Sequence, residues 1–315
     1  MVNTPDTAPA LVLGTAQLGM AYGIANRHGE PGTEGAIELV ARALELGIRT
    51  FDTARAYGVS EERLGAALKG RKDIKIVTKL APLEALVPSA PRGTTAHAVI
   101  ASINASRAAL ERPILDTVLL HRAAHLRSHG GAIFDTLLAL KADRQIEKLG
   151  VSVQTPDELR EALSMRAIGH VQFPLNLLDW RWRTEDLRAL IEERRDVTVH
   201  VRSTLLQGLL AANDPTLWPL NSGINPRRFV PALQALAETL GRDDVADLAF
   251  AYVRAQNFVH GLVVGAETAA QINENAALFA KPPLDEDECL FVERFLPELP
   301  EAVLNPALWQ HPQAA

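Results

Sequence analysis

A chain of 315 residues, 47% apolar and 22% charged, holds enough apolar material for one large core, and α/β barrels reach this length as a single domain. Its formal charge of −6, with arginines scattered along the chain, offers no basic stripe for a nucleic acid. One cysteine, Cys289, rules out an internal disulfide framework and a cysteine-ligated metal cluster. No apolar run is long enough to cross a bilayer, and the opening MVNTPDTAPA lacks the cationic start and apolar stretch of a signal peptide, so a cytoplasmic protein is expected.

Strand-like and helix-like runs alternate from end to end, the pattern of a parallel sheet with crossover helices. The strand-like runs are ALVLGT, IRTFDT, IKIVTK, DTVLLH, KLGVSV, HVQFPL, VTVHVR and GLVVGA. Several are apolar almost throughout, as strands covered on both faces must be. After the first, Thr33 caps a predicted helix with an apolar face at Ile37, Val40, Ala41 and Leu44, stopped by Gly47. After the second, Ser60 caps a helix carrying Leu64, Ala67 and Leu68, stopped by Gly70. Amphipathic segments follow at 94–111, 131–143, 156–165, 184–194, 228–240 and 243–256, with a further helix starting at Thr268. The surplus helix falls between strands seven and eight, behind a long irregular loop from Leu205 to Pro226. The expected fold is α/β: a (β/α)8 TIM barrel over 11–315 in one domain, with an N-terminal tail over 1–10.

Strand ends and the loops after them open onto one face of such a barrel, so side chains placed there converge. Four suitable ones do: Asp52 and Tyr57 in FDTARAYG, Lys79 in IKIVTKL, and His121 in DTVLLHR. Carbonyl reduction needs an acid at the oxygen, and a phenol, with a pKa near ~10, needs help to give up its proton near neutrality. Lys79 supplies a positive charge for the tyrosinate, Asp52 holds the lysine, and His121 donates to the substrate oxygen. Taken singly, each has a plain structural reading as a loop acid, a rim tyrosine, a solvated lysine or a core histidine. Their conjunction at adjacent strand ends favours catalysis.

With these residues in order, the sequence resembles the aldo-keto reductases, in wording a bacterial subgroup. The resemblance rests on Gly14 and Thr15, FDTARAYG, Lys79, His121, GVS at Gly150 to Ser152, QFPLN with Gln172 and Asn176, and VVGAETAAQINEN. It implies Tyr57 as general acid, tuned by Lys79 and Asp52, with His121 positioning a small-molecule carbonyl: an aldehyde, ketone or sugar. It implies NADP as cofactor, with NAD as the alternative, and no metal. Ser152 and Gln172 would hold the nicotinamide carboxamide. Further contacts would come from Gly14, Thr15 and Asp52, from Arg202, Ser203, Leu205 and Gly208 after strand seven, and from Gly265, Gln271, Glu274 and Asn275 after strand eight. No GxGxxG follows a strand in the dinucleotide-binding pattern and no Walker motif is present.

Departures from the family pattern are Val153 in place of an asparagine, Arg202 where an aromatic ring often stacks on the nicotinamide, and Gln271 where an arginine commonly grips the 2′-phosphate of NADP. Glu267 nearby carries the wrong charge for that phosphate. Tyr22, Trp180, Trp218, Arg122 and His125 stand in loops expected to face the pocket. Two other readings of the same barrel are a Schiff-base lyase using Lys79 and a nucleotide-holding, redox-sensing module without turnover.

Overall fold

The eight strand-like runs pair side by side in chain order: β1 (Ala10–Gly14), β2 (Thr50–Asp52), β3 (Lys75–Lys79), β4 (Leu115–Leu120), β5 (Ile146–Ser152), β6 (His170–Pro174), β7 (Thr198–Arg202) and β8 (Gly261–Gly265). All pairings are parallel, and β8 returns to β1 with Gly265 opposite Gly14, which closes the barrel. The structure is a computed structural model describing residues 8–26 and 29–310. Residues 1–7 of the expected tail lie outside the described residues, and β1 begins at Ala10.

Strand side chains alternate between two faces. Leu13, Phe51, Ile76, Val118, Val171 and Val199 are buried at 2% exposure or less, in the layer between strands and helices. The other set points into the barrel: Asp52 on β2 bonds Gln172 on β6, half the circumference away, so both must face the axis. Register carries the inward set around the ring through Asp52 opposite Val77, Lys79 opposite Leu119, Ser152 opposite Gln172, and His200 opposite Gly261.

The expected helices all form, with corrections in detail, and three more are added to them. In α1 (Thr33–Glu45) the buried positions are Ala36, Leu39, Val40, Ala43 and Leu44, while Ile37 and Ala41 are exposed. Val40 and Leu44 of the expected stripe are buried, while Ala36, Leu39 and Ala43 complete the buried face in place of Ile37 and Ala41. Gly32, not Thr33, occupies the N-cap position, and Gly47 is left-handed at φ +83° as a terminator must be. In α2 (Ser60–Ala67) Val59 takes the N-cap position. The Ser60 hydroxyl is used elsewhere, donating to Thr15.

Next come α3 (Arg92–Ala109), α4 (Ala132–Ala142), α5 (Pro156–Ser164) and α6 (Glu185–Glu193). Thr155 and Glu158 form a reciprocal capping box on α5. The long loop after β7 is less irregular than its prolines suggest. It contains the short α7 (Leu209–Ala212) and buries Leu206, Leu209, Leu210 and Trp218. Then α8 (Pro226–Thr239) and α9 (Val245–Arg254) precede β8, so the surplus helix lies where it was expected. After α10 (Ala269–Ala280), two helices not read from the sequence, α11 (Glu286–Phe295) and α12 (Glu301–Leu304), complete the described chain. The Tyr252 hydroxyl donates to Glu293 of α11, and Trp180 Nε1 donates to Leu299 O, which fasten this segment to the barrel. Cys289 is half-buried on α11, its thiol pushed up to about 11 by burial and the carboxylates around it. Among the described residues no helix is long and apolar enough to cross a membrane.

Candidate active site

At the C-terminal end of the barrel β2 and β3 bring Asp52 and Lys79 together. Lys79 Nζ donates to Asp52 Oδ1 at 2.6 Å and to Thr53 O at 3.0 Å, with both side chains almost wholly buried. Burial alone would lower the lysine pKa, but the Asp52 charge and contacts with Asp52 and Tyr57 outweigh it and raise the pKa above its ordinary value. The ammonium is therefore retained in the barrel interior. It lies 5.1 Å from the centroid of the Tyr57 ring. His121, just past β4, meets the same ring edge-on with centroids 6.0 Å apart.

Tyr57 is held by its own loop rather than by a strand. Thr53 N donates to Val77 O and Arg55 N to Lys79 O, tying that loop to β3. Arg55 reaches forward to Glu61 and Glu62, and Glu61, fully buried, also accepts from Thr78. Gly19 explains the closeness of the β1 loop, since a Cβ there would stand 1.9 Å from Tyr57 O. Gly58, at φ +55°, would place one 2.1 Å from Gly19 O. Both positions therefore need glycine.

Burial, followed by the charges of Lys79, Arg202 and Arg122, pushes the His121 imidazole down to about 3. It is neutral at pH 7, and its Nδ1 is buried without a partner. A neutral imidazole can orient a carbonyl through one N–H but is a poor proton source.

A cleft runs from Tyr57 and Asp52 over β1 and β8 to α10. Of the residues expected to bind cofactor, Gly14, Thr15, Asp52, Arg202, Ser203, Leu205, Gly208, Gly265, Gln271, Glu274 and Asn275 all line it. Gly14 and Gly265 form a bare backbone floor, and a Cβ on Gly265 would meet the Gln17 side chain at 2.4 Å. The loops after β1 and β7 meet along the cleft: Gln207 Nε2 donates to the Tyr22 hydroxyl at 3.3 Å, and a Cβ on Gly208 would stand 2.9 Å from Ala25 Cβ.

Ser152 and Gln172 lie side by side on β5 and β6; neither lines the cleft, though Gln172 bonds Asp52, which does. Gln172 is fully buried: its Nε2 donates to Asp52 Oδ2 at 2.7 Å, and its Oε1 has no partner. An orphaned acceptor beside an unused serine hydroxyl suits a carboxamide, so these residues fit a nicotinamide dinucleotide. Val153, in the asparagine's place, is buried in the core, and its carbonyl accepts from Arg202, as does Gln154 Oε1. That pair of bonds directs the guanidinium toward the end of β5.

Two of these lining residues also bond within the protein. The Thr15 hydroxyl donates to Asp52 O and accepts from Ser60, so it is engaged within the protein. Asn275 Nδ2 donates to Gly265 O, pinning α10 to the end of β8. Among the loop residues, Tyr22 lines the cleft. Trp180 is tied to Leu299, Trp218 is buried edge-on against Phe229, His125 is buried, and Arg122 pairs with Glu84, and none of these four lines the cleft. Gln17, Gly23, Ala25 and Asn26 line the cleft unanticipated. Their cue was present only as GTAQLG and YGIAN next to β1, and their use depends on β1 closing against β8. Among the described residues, no group of three or more histidine, cysteine or acidic side chains is placed to hold a metal.

Geometry and sequence agree on the class. The chain belongs to the aldo/keto reductase family, whose pattern it matches over residues 10–295. The curated relatives include the oxidoreductase sirO of Leptosphaeria maculans, 26% identical over 90% of this chain and 92% of that protein. L-galactose dehydrogenase of Arabidopsis thaliana is 28% identical over 96% and 93%. Among solved structures, the holo form of aldo-keto reductase AKR11C1 from Bacillus halodurans superposes with a TM-score of 0.73 at 25% identity, covering 95% of this chain and 94% of its own. Family and relatives together support an oxidoreductase of carbonyls and alcohols.

Proposed function

We propose that the protein interconverts a small carbonyl compound and its alcohol at the expense of a nicotinamide dinucleotide, NADP or NAD, with Tyr57 as general acid and base. The observation that carries this reading is the Lys79 ammonium, buried between the Asp52 carboxylate and the Tyr57 ring beside the cleft. A bound dinucleotide supplies the hydride for the carbonyl carbon. Tyr57 delivers its proton to the carbonyl oxygen, and the ammonium stabilises the negative charge left on the phenol. In the reverse direction the same phenolate takes the proton back. His121, neutral, orients the carbonyl oxygen.

Ser152 and the Gln172 Oε1 would hold the carboxamide, the planar guanidinium of Arg202 could stack on a ring, and Ser203, Leu205 and Gly208, which line the cleft, would contact the rest of the dinucleotide. An aldehyde, ketone or sugar is the substrate class, a sugar being favoured by the name of the Arabidopsis relative. We place the reaction in the cytoplasm, which suits a chain with a single cysteine.

A Schiff-base role for Lys79 is disfavoured, because a lysine paired with Asp52 and raised in pKa is protonated and a poor nucleophile. The test is turnover. Purified protein should oxidise NADPH or NADH with some member of a carbonyl panel, and Tyr57→Phe should lower kcat by about 10³-fold with unchanged dinucleotide affinity. Wild-type turnover in Tyr57→Phe would refute the assignment, and tight dinucleotide binding without turnover over the whole panel would favour the redox-sensing module.

A further inference from the structure

We infer that Glu61 is a positioning residue for proton transfer: through Arg55 and Thr78 it fixes the separation of the Tyr57 phenol from the Lys79 ammonium. This rests on the reading of Tyr57 as the acid. Of the four polar groups at the mouth, Asp52 and Lys79 belong to strands and His121 follows β4 directly. Tyr57 stands beyond β2, on the loop leading to α2, so the strand ladder does not set its place.

What sets it is a clamp spanning the tyrosine. Ahead of it in the chain, Arg55 N donates to Lys79 O at 3.1 Å. The Arg55 guanidinium reaches the residues that follow it: Nη2 donates to Gly58 O at 3.5 Å and to Glu62 Oε1 at 2.8 Å, and Nη1 donates to Glu61 Oε2 at 2.6 Å. The other oxygen of Glu61, Oε1, accepts from the Thr78 hydroxyl at 2.5 Å. Thr78 precedes Lys79 on β3, and successive strand side chains face opposite sides. Glu61 therefore grips, from outside the barrel, the strand whose next residue carries the ammonium inside it.

Glu61 is fully buried, and a carboxylate costs free energy to bury even when paired. An apolar side chain would fasten α2 to the barrel without that cost, but it would lack direction. Both carboxylate oxygens are committed, one to the loop's arginine and one to the strand, so loop and strand are held in one register. Proton transfer is where such precision matters, since a displacement of ~1 Å can cost about 10²-fold in rate. The spacing the clamp maintains is the 5.1 Å from the Lys79 ammonium to the centroid of the Tyr57 ring.

The test is steady-state kinetics on Glu61→Gln, which keeps the shape but removes the charge facing Arg55, and on Thr78→Val, which removes the strand-side bond alone. Expected in each are a fall in kcat of about 10- to 100-fold, KM and dinucleotide affinity within about twofold of wild type, and a larger solvent isotope effect on kcat, the mark of a slowed proton transfer. Thr78→Ser, which restores the hydroxyl, should recover most of the rate. A crystal structure of Glu61→Gln should show the Tyr57 ring centroid further from Lys79 than 5.1 Å. If Glu61→Gln does not fold, Thr78→Val and its serine rescue decide alone. Wild-type kcat in the folded variants, with only the unfolding temperature lowered, would reveal a fastening role and overturn the inference. Tyr57→Phe, assayed alongside, separates the two readings: its loss of turnover with wild-type kcat in the clamp variants leaves the acid assignment standing, and its retention of turnover overturns both.

Discussion

The mouth and the lower half of this barrel interior solve the burial of ionisable groups in opposite ways. At the mouth, Lys79 keeps its charge because Asp52 sits 2.6 Å away and Gln172 completes the carboxylate's bonding. Deeper, His170 on β6 and His200 on β7 pack edge to face with centroids 4.3 Å apart, with His170 Nε2 and His200 Nδ1 lacking partners. Desolvation drives His200 to about 3 and His170 well below its ordinary value, so both are neutral. Gly261 completes this arrangement, since a Cβ there would stand 2.8 Å from the His200 ring. A buried charge survives only beside its counterion, and that is where the chemistry gathers.

If the contrast is right, the largest effect should follow from Lys79→Met, which strands the Asp52 carboxylate in the barrel. Expected are a loss of turnover comparable to that of Tyr57→Phe and a stability loss of about 3–5 kcal/mol by urea denaturation. Retention of both would mean that the ion pair is dispensable.

A smaller effect is expected from Gly19→Ala, which keeps every catalytic group but drives a methyl group into the Tyr57 carbonyl. Stability should fall by about 1–3 kcal/mol. Steady-state kinetics should show kcat falling more than KM rises, because the phenol is displaced while the cleft persists.

The lower half should respond to pH rather than through turnover. Unfolded histidine titrates near ~6.5, far above the values of His170 and His200 in the barrel, so below that pH the unfolded chain binds more protons than the folded one. The contribution of the pair is full above pH ~6.5 and declines as the pH falls toward the folded values, by up to ~1.4 kcal/mol per pH unit for each histidine. Unfolding midpoints at pH 7.5, 6.0 and 5.0 should follow that slope, and His200→Gln should flatten it while leaving kcat at pH 7.5 unchanged. An unaltered slope in the variant would show that other groups govern the acid limb.

Much of this organisation was legible in the chain itself. Near-continuous apolar runs such as IKIVTK and HVQFPL identified all eight strands, because strands covered on both faces have no polar side to show. Asp52, Tyr57, Lys79 and His121 were legible because parallel strands deliver their ends to one face. Helix details were less so: α1 offers two overlapping apolar stripes, and only packing against the barrel chose Ala36 and Ala43 over Ile37 and Ala41. Thr15 and Asn275 line the cleft, and their bonds to Asp52 O and Gly265 O, which no local pattern announces, add a structural role.

By itself the sequence determined the barrel, the order of its strands and the four polar groups at their ends, since alternation and residue type act locally and survive without knowledge of neighbours. Tertiary structure alone decided what crosses the axis or joins distant loops: Gln172 to Asp52, 120 residues apart, Gln207 to Tyr22, 185 apart, and Gln17 over Gly265. These contacts exist because β1 closes against β8 and brings the ends of the chain's order together, and no local pattern encodes which partners that closure will select.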